Sequence, residues 1–305
     1  MGGGLQTSIS GLSSSTTSVA SSVFSFTYAN GRRYHSDRFH KASYFMPNDE
    51  KEQDRLDLFH HLFLSLLGGR LCTAPLDNPH RVLDVGTGTG IWAIDFADEH
   101  PQAEVIGTDV SPIQPNWVPP NVQFEVEDME EEWTYPDNYF DFIHMRSMSG
   151  SFIDWDRVIE QAYRKTAPGG YLEYQDYGCE MYLLDGTLLQ GESEEHPIST
   201  YIHHVATAAE KHGRPLTVAP TIKARMERAG FVDCVARRAI WPVGPWPKDK
   251  QLKEIGKWGL LGALDSLLPF AIHLLTREGW LVKDIEELCD KVAKSYAKNY
   301  YYTYG

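Results

Sequence analysis

Between Arg81 and Trp92 the chain reads Arg-Val-Leu-Asp-Val-Gly-Thr-Gly-Thr-Gly-Ile-Trp. Val82, Leu83 and Val85 make a short buried strand, Gly86, Gly88 and Gly90 follow at alternate positions, and Ile91, Trp92, Ala93 and Phe96 open a helix. A strand that breaks into a glycine turn and opens a helix is nucleotide-binding geometry, because bare backbone comes within contact distance of a ligand at the carboxyl end of the strand. The dinucleotide fingerprint needs Gly-x-Gly-x-x-Gly. Here the spacing is Gly-x-Gly-x-Gly, and an acid, Asp84, precedes it. A carboxylate at that place repels a pyrophosphate and can anchor a cationic amino group through water or backbone. That favours S-adenosylmethionine, which carries a zwitterionic amino-acid end and no phosphate. The competing reading is a glycine turn without a ligand.

Two further acids fit the same ligand. Glu104 to Thr108 is a second strand ending at Asp109, where a carboxylate can accept both hydroxyls of an adenosine ribose. Val122 to Val126 is a third, followed by Glu127, Asp128 and Met129. Asp128, chosen over Glu127, can accept the adenine amino group while Met129 packs on the ring. Thr87, Val110 and Met145 complete the candidate cofactor set. The fourth strand, Phe140 to Met145, leads into Arg146 and faces the transferred group. His144 is the candidate general base, since an imidazole can take a proton near neutral pH; a core histidine is the alternative. Arg146 could hold an acidic substrate, or pair with an acid such as Glu173. Tyr174 and Gln175, at the end of the fifth strand, are weaker candidates.

These residues need a scaffold, and the order of elements predicts one. Strand and helix alternate from residue 80 to 176, the pattern of a parallel, doubly wound α/β sheet. A leading helix from about Asn48 to Leu67 buries Leu56, Phe59, Phe63 and Leu66 at helical spacing. Residues 177–230 read as a long loop and two helices, Phe231 to Ile240 as a sixth strand, and Tyr300 to Tyr304 as a seventh. Lys248 to Lys291 reads as almost wholly helical, an insertion between the last two strands. The expectation is a disordered Ser/Gly-rich tail over residues 1–30 and one domain over 31–305. Within that domain lie a leading helix or lid (31–70), a cofactor-binding core (80–176), a substrate loop with helices (177–230) and a helical cap (244–295).

Composition narrows the partners. A hydrophobic content of 42% suits an ordinary globular chain, and a formal charge of -14 disfavours nucleic acid and anionic membrane surfaces. Cys72, Cys179, Cys234 and Cys289 lie far apart, so free thiols in a reducing compartment, the cytoplasm or the nucleus, are expected. No signal-peptide pattern opens the chain. His203 and His204 have no acid or cysteine at ligand spacing, so no metal is expected.

With Asp84, Gly86, Gly88, Gly90, Asp109 and Asp128 in order, the chain resembles a class I S-adenosylmethionine-dependent methyltransferase. More narrowly it is similar to the fungal LaeA-like family, named for the methyltransferase of the velvet complex that controls secondary metabolism. The narrower resemblance rests on Tyr44 to Glu50, Glu52, Arg55-Leu56-Asp57 and His60-His61, on the run from Ile143 to Gly150, on Pro168-Gly169-Gly170 and on the tyrosine-rich end. It implies a seven-stranded Rossmann-like sheet and S-adenosylmethionine as cofactor, with the leading helix across the cofactor mouth. Tyr44, Arg55 and His60 thereby join the substrate-binding candidates. The substrate stays open between a small molecule of fungal secondary metabolism and a protein. With the second goes a regulatory role, with a velvet-type partner; a homodimer surface is a further use for the helical insertion, and a fold that binds the cofactor but catalyses a rearrangement is a third reading.

Overall fold

The computed structural model describes residues 24–36 and 44–305. Its centre is a five-stranded parallel sheet built from β3 (Arg81–Val85), β4 (Glu104–Asp109), β5 (Val122–Val126), β6 (Phe140–Arg146) and β7 (Thr166–Gln175). The strand order is β5-β4-β3-β6-β7. The chain winds outward from β3 to β5, then returns to the other side of β3 as β6. Ligands of open α/β sheets bind outside the carboxyl ends of the strands at such a reversal. It falls here between β3 and β6, so the glycine turn and the Arg146–Gly150 segment face each other across it.

Period-two alternation decides what each sheet face carries. Val82, Val105 and Phe142 pack with Trp92 and Phe96 of α2 (Ile91–Glu99). Leu83, Val85, Ile143 and Met145 pack on the opposite face with Trp155, Val158 and Ile159 of α3 (Trp155–Lys165) and Ile222 of α5 (Ala219–Ala229). Asp84, His144 and Arg146 therefore emerge on the α2 face. Across that face lies α1 (Glu50–Leu66), capped by the Asp49 side chain, which accepts from Glu52 N, and closed by Gly68 and Gly69 at positive φ.

A second core forms from α4 (Pro197–Lys211), α6 (Lys250–Arg277) and α7 (Val282–Tyr296), with Tyr201, Val205, Leu267, Leu274, Ile285, Val292 and Tyr301 buried in it. The helical stretch expected from Lys248 to Lys291 is broken after Arg277, where Gly279 takes φ 90°. An eighteen-residue window of α6 has a mean hydropathy of 1.5, enough in length and composition to cross a membrane, and 44% of that window is buried. Its glycines explain the packing: a Cβ on Gly259 would lie 2.5 Å from the Pro242 carbonyl oxygen, and one on Gly262 would lie 2.9 Å from the Phe59 ring of α1.

Two expectations need correction. The sheet does not reach seven strands. β9 (Ile240–Val243) and β10 (Tyr301–Tyr304) instead form a separate antiparallel sheet with β8 (Tyr182–Leu183), in the order β8-β10-β9. The packing of β9 on α6 and its pairing with β10 hold it there. Phe231 to Ala239 runs outside any strand, with Val232 and Val235 exposed. Between that run and β7 lies a cleft of about 1540 Å³. The expected tail also ends too late. Residues 1–23 lie outside the described part, but β1 (Phe26–Ala29) pairs antiparallel with β2 (Arg32–Ser36). Asn30 and Gly31 turn the hairpin at positive φ, an Asn-Gly signal readable in the sequence.

Gly90 needs its residue type for two reasons, φ 82° and the Phe124 ring that a Cβ would strike. Gly90→Ala is expected to cost about 2 kcal/mol, read as a lowered urea midpoint at unchanged slope.

Candidate functional site

Asp84 is the penultimate residue of β3, with its carboxylate buried and shared. Its Oδ2 accepts from the Thr87 hydroxyl at 2.6 Å, and its Oδ1 from His144 Nδ1 at 2.7 Å. The His144 ring is fully buried and stacks on Trp92 at 3.7 Å and 6°. Gly86, Gly88 and Gly90 all take positive φ, and Thr87 N donates to Thr108 O across to β4.

Asp109 ends β4. Its Oδ2 accepts from Gly88 N and its Oδ1 from Ser111 N, both at 2.9 Å. Two backbone donors orient the carboxylate and leave lone pairs for a vicinal diol. Burial pushes its pKa up to about 6. Glu127 N donates to Asp109 O, which brings the end of β5 alongside. There Asp128 Oδ1 accepts from Glu130 N at 3.0 Å, and Met129 is buried. Val110 is half-buried beside Asp109.

α1 closes the front. Asp57 accepts from the Thr89 hydroxyl at 2.7 Å, and Leu56 would lie 3.3 Å from a Cβ on Gly88. The space left beneath it is about 40 Å³, bordered by His60, Asp84, Gly86, Thr87, Gly88, His144 and Arg146 among others. His60 links two elements, its Nδ1 accepting from Arg146 Nη2 at 3.0 Å and its Nε2 facing Asp95 Oδ2 at 2.9 Å. Burial and the Arg146 charge pull His60 down to about 3, so the ring is neutral and Nε2–H donates to Asp95.

The polar groups fit a nucleoside that carries a free amino-acid end. They offer a buried carboxylate at the glycine turn, a second carboxylate poised by backbone N–H groups one strand over, and an acid on the third strand. The pattern of the methyltransferase-domain family matches residues 53–234. The chain is 43% identical to methyltransferase pytC of Aspergillus terreus over 94% of its own length and 87% of that protein's. It is 36% identical to the secondary metabolism regulator LAE1 of Cochliobolus heterostrophus, over 81% of each chain. It is 33% identical to the regulator laeA of Aspergillus fumigatus, over 90% of this chain and 73% of that one. The chain belongs to this LaeA-like methyltransferase family. It is an S-adenosylmethionine-dependent methyltransferase.

Within the family frame, several candidates stand where their expected work is closed to them. His144 is not exposed to an acceptor: its ring is enclosed by Trp92 and Asp84 because position 144 points into the α2 face of the sheet. Met145 points the other way, fully buried in the core with Leu83 and Trp155. Arg146 does not pair with Glu173, whose carboxylate instead accepts from Thr73 N and Ala74 N. Gln175 Nε2 donates to Leu71 O and to Glu173, which ties it to the scaffold.

Tyr174 stands differently. Its hydroxyl donates to Asp176, which also accepts from Ser149 N at 2.9 Å and Tyr177 N at 2.8 Å. Burial raises both the Tyr174 and Asp176 pKa values. Arg55 makes a two-point bond to Glu52, at 3.0 and 2.6 Å, with Phe59 and Phe270 against its guanidinium. Burial opposes the Arg55 charge, but Glu52 more than offsets this and holds it above its usual range. Tyr44 is held neutral by burial, with Glu52 adding to the effect. Asp176, Asp95 and Trp92 were not among the expected site residues; only Asp176, an acid directly after the fifth strand, carried a readable signal. Glu192 closes on His203 and His204, with one ligand atom from each within 4.8 Å of the others. That acid is brought by the fold, eleven residues from His203 in sequence.

Two outcomes are expected. If only ionised Asp109 accepts a ribose diol, affinity for S-adenosylhomocysteine falls tenfold per pH unit below about 6. Protonation consumes the acceptor, so the loss comes as pH falls, and titration calorimetry between pH 5 and 8 checks it against a pH-flat Asp109→Asn. Second, Glu52→Gln leaves the Arg55 charge buried and is expected to cost about 3 kcal/mol, measured by chemical denaturation.

Proposed function

We propose that this methyltransferase transfers a methyl group to a small molecule of fungal secondary metabolism. The observation that carries the reading is the match to methyltransferase pytC at 43% identity over 94% of this chain, above the 36% and 33% to the regulators LAE1 and laeA. The ends of β6 and β7 suit such an acceptor, because Ser149, Tyr174 and Asp176 form a hydrogen-bonded group there. The four cysteines are free, which supports action inside the cell.

Bound S-adenosylmethionine supplies an electrophilic methyl group for in-line displacement, a reaction governed by alignment and exclusion of water. Asp109 and Asp128 would hold its adenosine, and Asp84 its amino group, with Thr87 and His144 fixing the Asp84 carboxylate. α1 lies over this end, held to α6 by the Arg55–Ser266 contact at 3.4 Å, and keeps water out. Asp176, with its pKa raised by burial, is placed to receive the proton of an acceptor hydroxyl relayed through Tyr174.

A second reading has its own observation. Leu267, Leu274 and Leu275 are buried, but Trp258, Leu261 and Leu264 on α6 are exposed and would suit a protein partner of the velvet type.

Purified protein, labelled S-adenosylmethionine and the separated small-molecule and protein fractions of a fungal culture make the test. Label is expected in the organic extract, reduced at least tenfold by Asp176→Asn. Label confined to the protein fraction would overturn the small-molecule reading in favour of the second.

A further inference from the structure

Arg146 is a partly buried cation that no carboxylate contacts among the described residues. It stands at the end of β6, beside the sheet's topological reversal. Nη2 donates to neutral His60, and the Phe63 ring lies 5.3 Å from Cζ. Burial lowers its pKa to about 10, against the opposing pull of the Asp84 and Asp95 charges. Among the described residues no carboxylate forms an ion pair with it, and the acids nearby are committed elsewhere. Asp84 holds Thr87 and His144, Asp95 holds His60, and Glu173 holds Thr73, Ala74 and Gln175.

A guanidinium drawn partly out of water with no carboxylate in contact is incompletely compensated. Its planar fork of donors matches a carboxylate in two-point geometry, and most of those donors are unused. The cavity of about 40 Å³ in front of it is bordered by Gly86, Thr87 and Gly88 of the glycine turn. His144 Nε2, buried and without a hydrogen-bond partner, borders the same space. That volume takes one small polar group.

We infer that Arg146 anchors the carboxylate of the methyl donor's amino-acid end. Asp84 and Arg146 emerge on one sheet face from adjacent strands, since Asp84 is in register with His144. One negative and one positive group so placed complement a zwitterion, the ammonium on the acid and the carboxylate on the guanidinium. A carboxylate on the acceptor is the other source of the same chemistry, but the glycine turn borders this cavity, which favours the donor. The inference rests on the proposed donor site.

The test compares two ligands by calorimetry, S-adenosylhomocysteine and 5′-methylthioadenosine, which shares the adenosine and lacks the amino-acid end. Arg146→Gln is expected to weaken S-adenosylhomocysteine binding by about 50-fold or more and to change methylthioadenosine binding less than about threefold. Arg146→Lys should recover part of the loss, because the charge is kept. The ligand-free Arg146→Gln protein should still unfold cooperatively at close to the parent temperature, since no direct ion pair is broken. Unchanged S-adenosylhomocysteine affinity, or equal losses for both ligands, overturns the assignment. An Asp109→Ala control separates the two levels. If it abolishes binding of both ligands while Arg146→Gln binds as the parent does, the donor site stands and Arg146 belongs to the acceptor. If the parent protein binds neither ligand, the donor site itself falls.

Discussion

The structure depends on where the Asp84 carboxylate is placed and who holds it. A carboxylate buried at the end of a central strand is costly to ionise unless it is hydrogen-bonded. Here Thr87 bonds it from the glycine turn and His144 from the neighbouring strand. Those two bonds tie the turn to β3 and β3 to β6, across the reversal where a ligand must lie. Trp92, the second residue of α2, stacks on the His144 ring, so the helix that opens from the glycine turn is locked to the same carboxylate. An ordinary apolar strand end would be cheaper. The polar one orients an acid toward the site.

Around that centre the protein keeps several charges out of water and compensates them unequally. Glu52 and Arg55 satisfy each other within α1 and serve as a rigid strut to α6. Asp109 is poised by two backbone donors, yet burial still raises its pKa to about 6. Arg146 is left with a neutral histidine. Fully compensated groups build the scaffold, and partly compensated ones line the space where a ligand belongs, consistent with stability being given up at functional positions.

The covering helix shares this logic. α1 touches the glycine turn through Leu56 and the Thr89–Asp57 bond, and reaches β6 through His60 and Arg146. α6 backs that helix through close glycine contacts, so the extra helices brace the cover as well as shaping the acceptor side.

The sequence by itself determined the Rossmann-like half of the sheet. Alternation and glycine spacing are local, and a parallel strand buried on both faces leaves a continuous apolar run that can be read without a partner. The positions of Asp84, Asp109 and Asp128, at or beside the carboxyl ends of their strands, were legible for the same reason. What tertiary structure decided was which neighbour each polar group met. His144 read as a base in sequence but is enclosed, because strand parity points it at Trp92. Asp176 gained its surroundings from Tyr174 and from Ser149, a residue 27 positions away. β9 and β10 have the composition of strands, and only the competition between pairing with β7 and packing on α6 determines which sheet they join. Residue types carry local preference; the partner of a buried charge and the register of an edge strand are long-range facts, set when the elements pack.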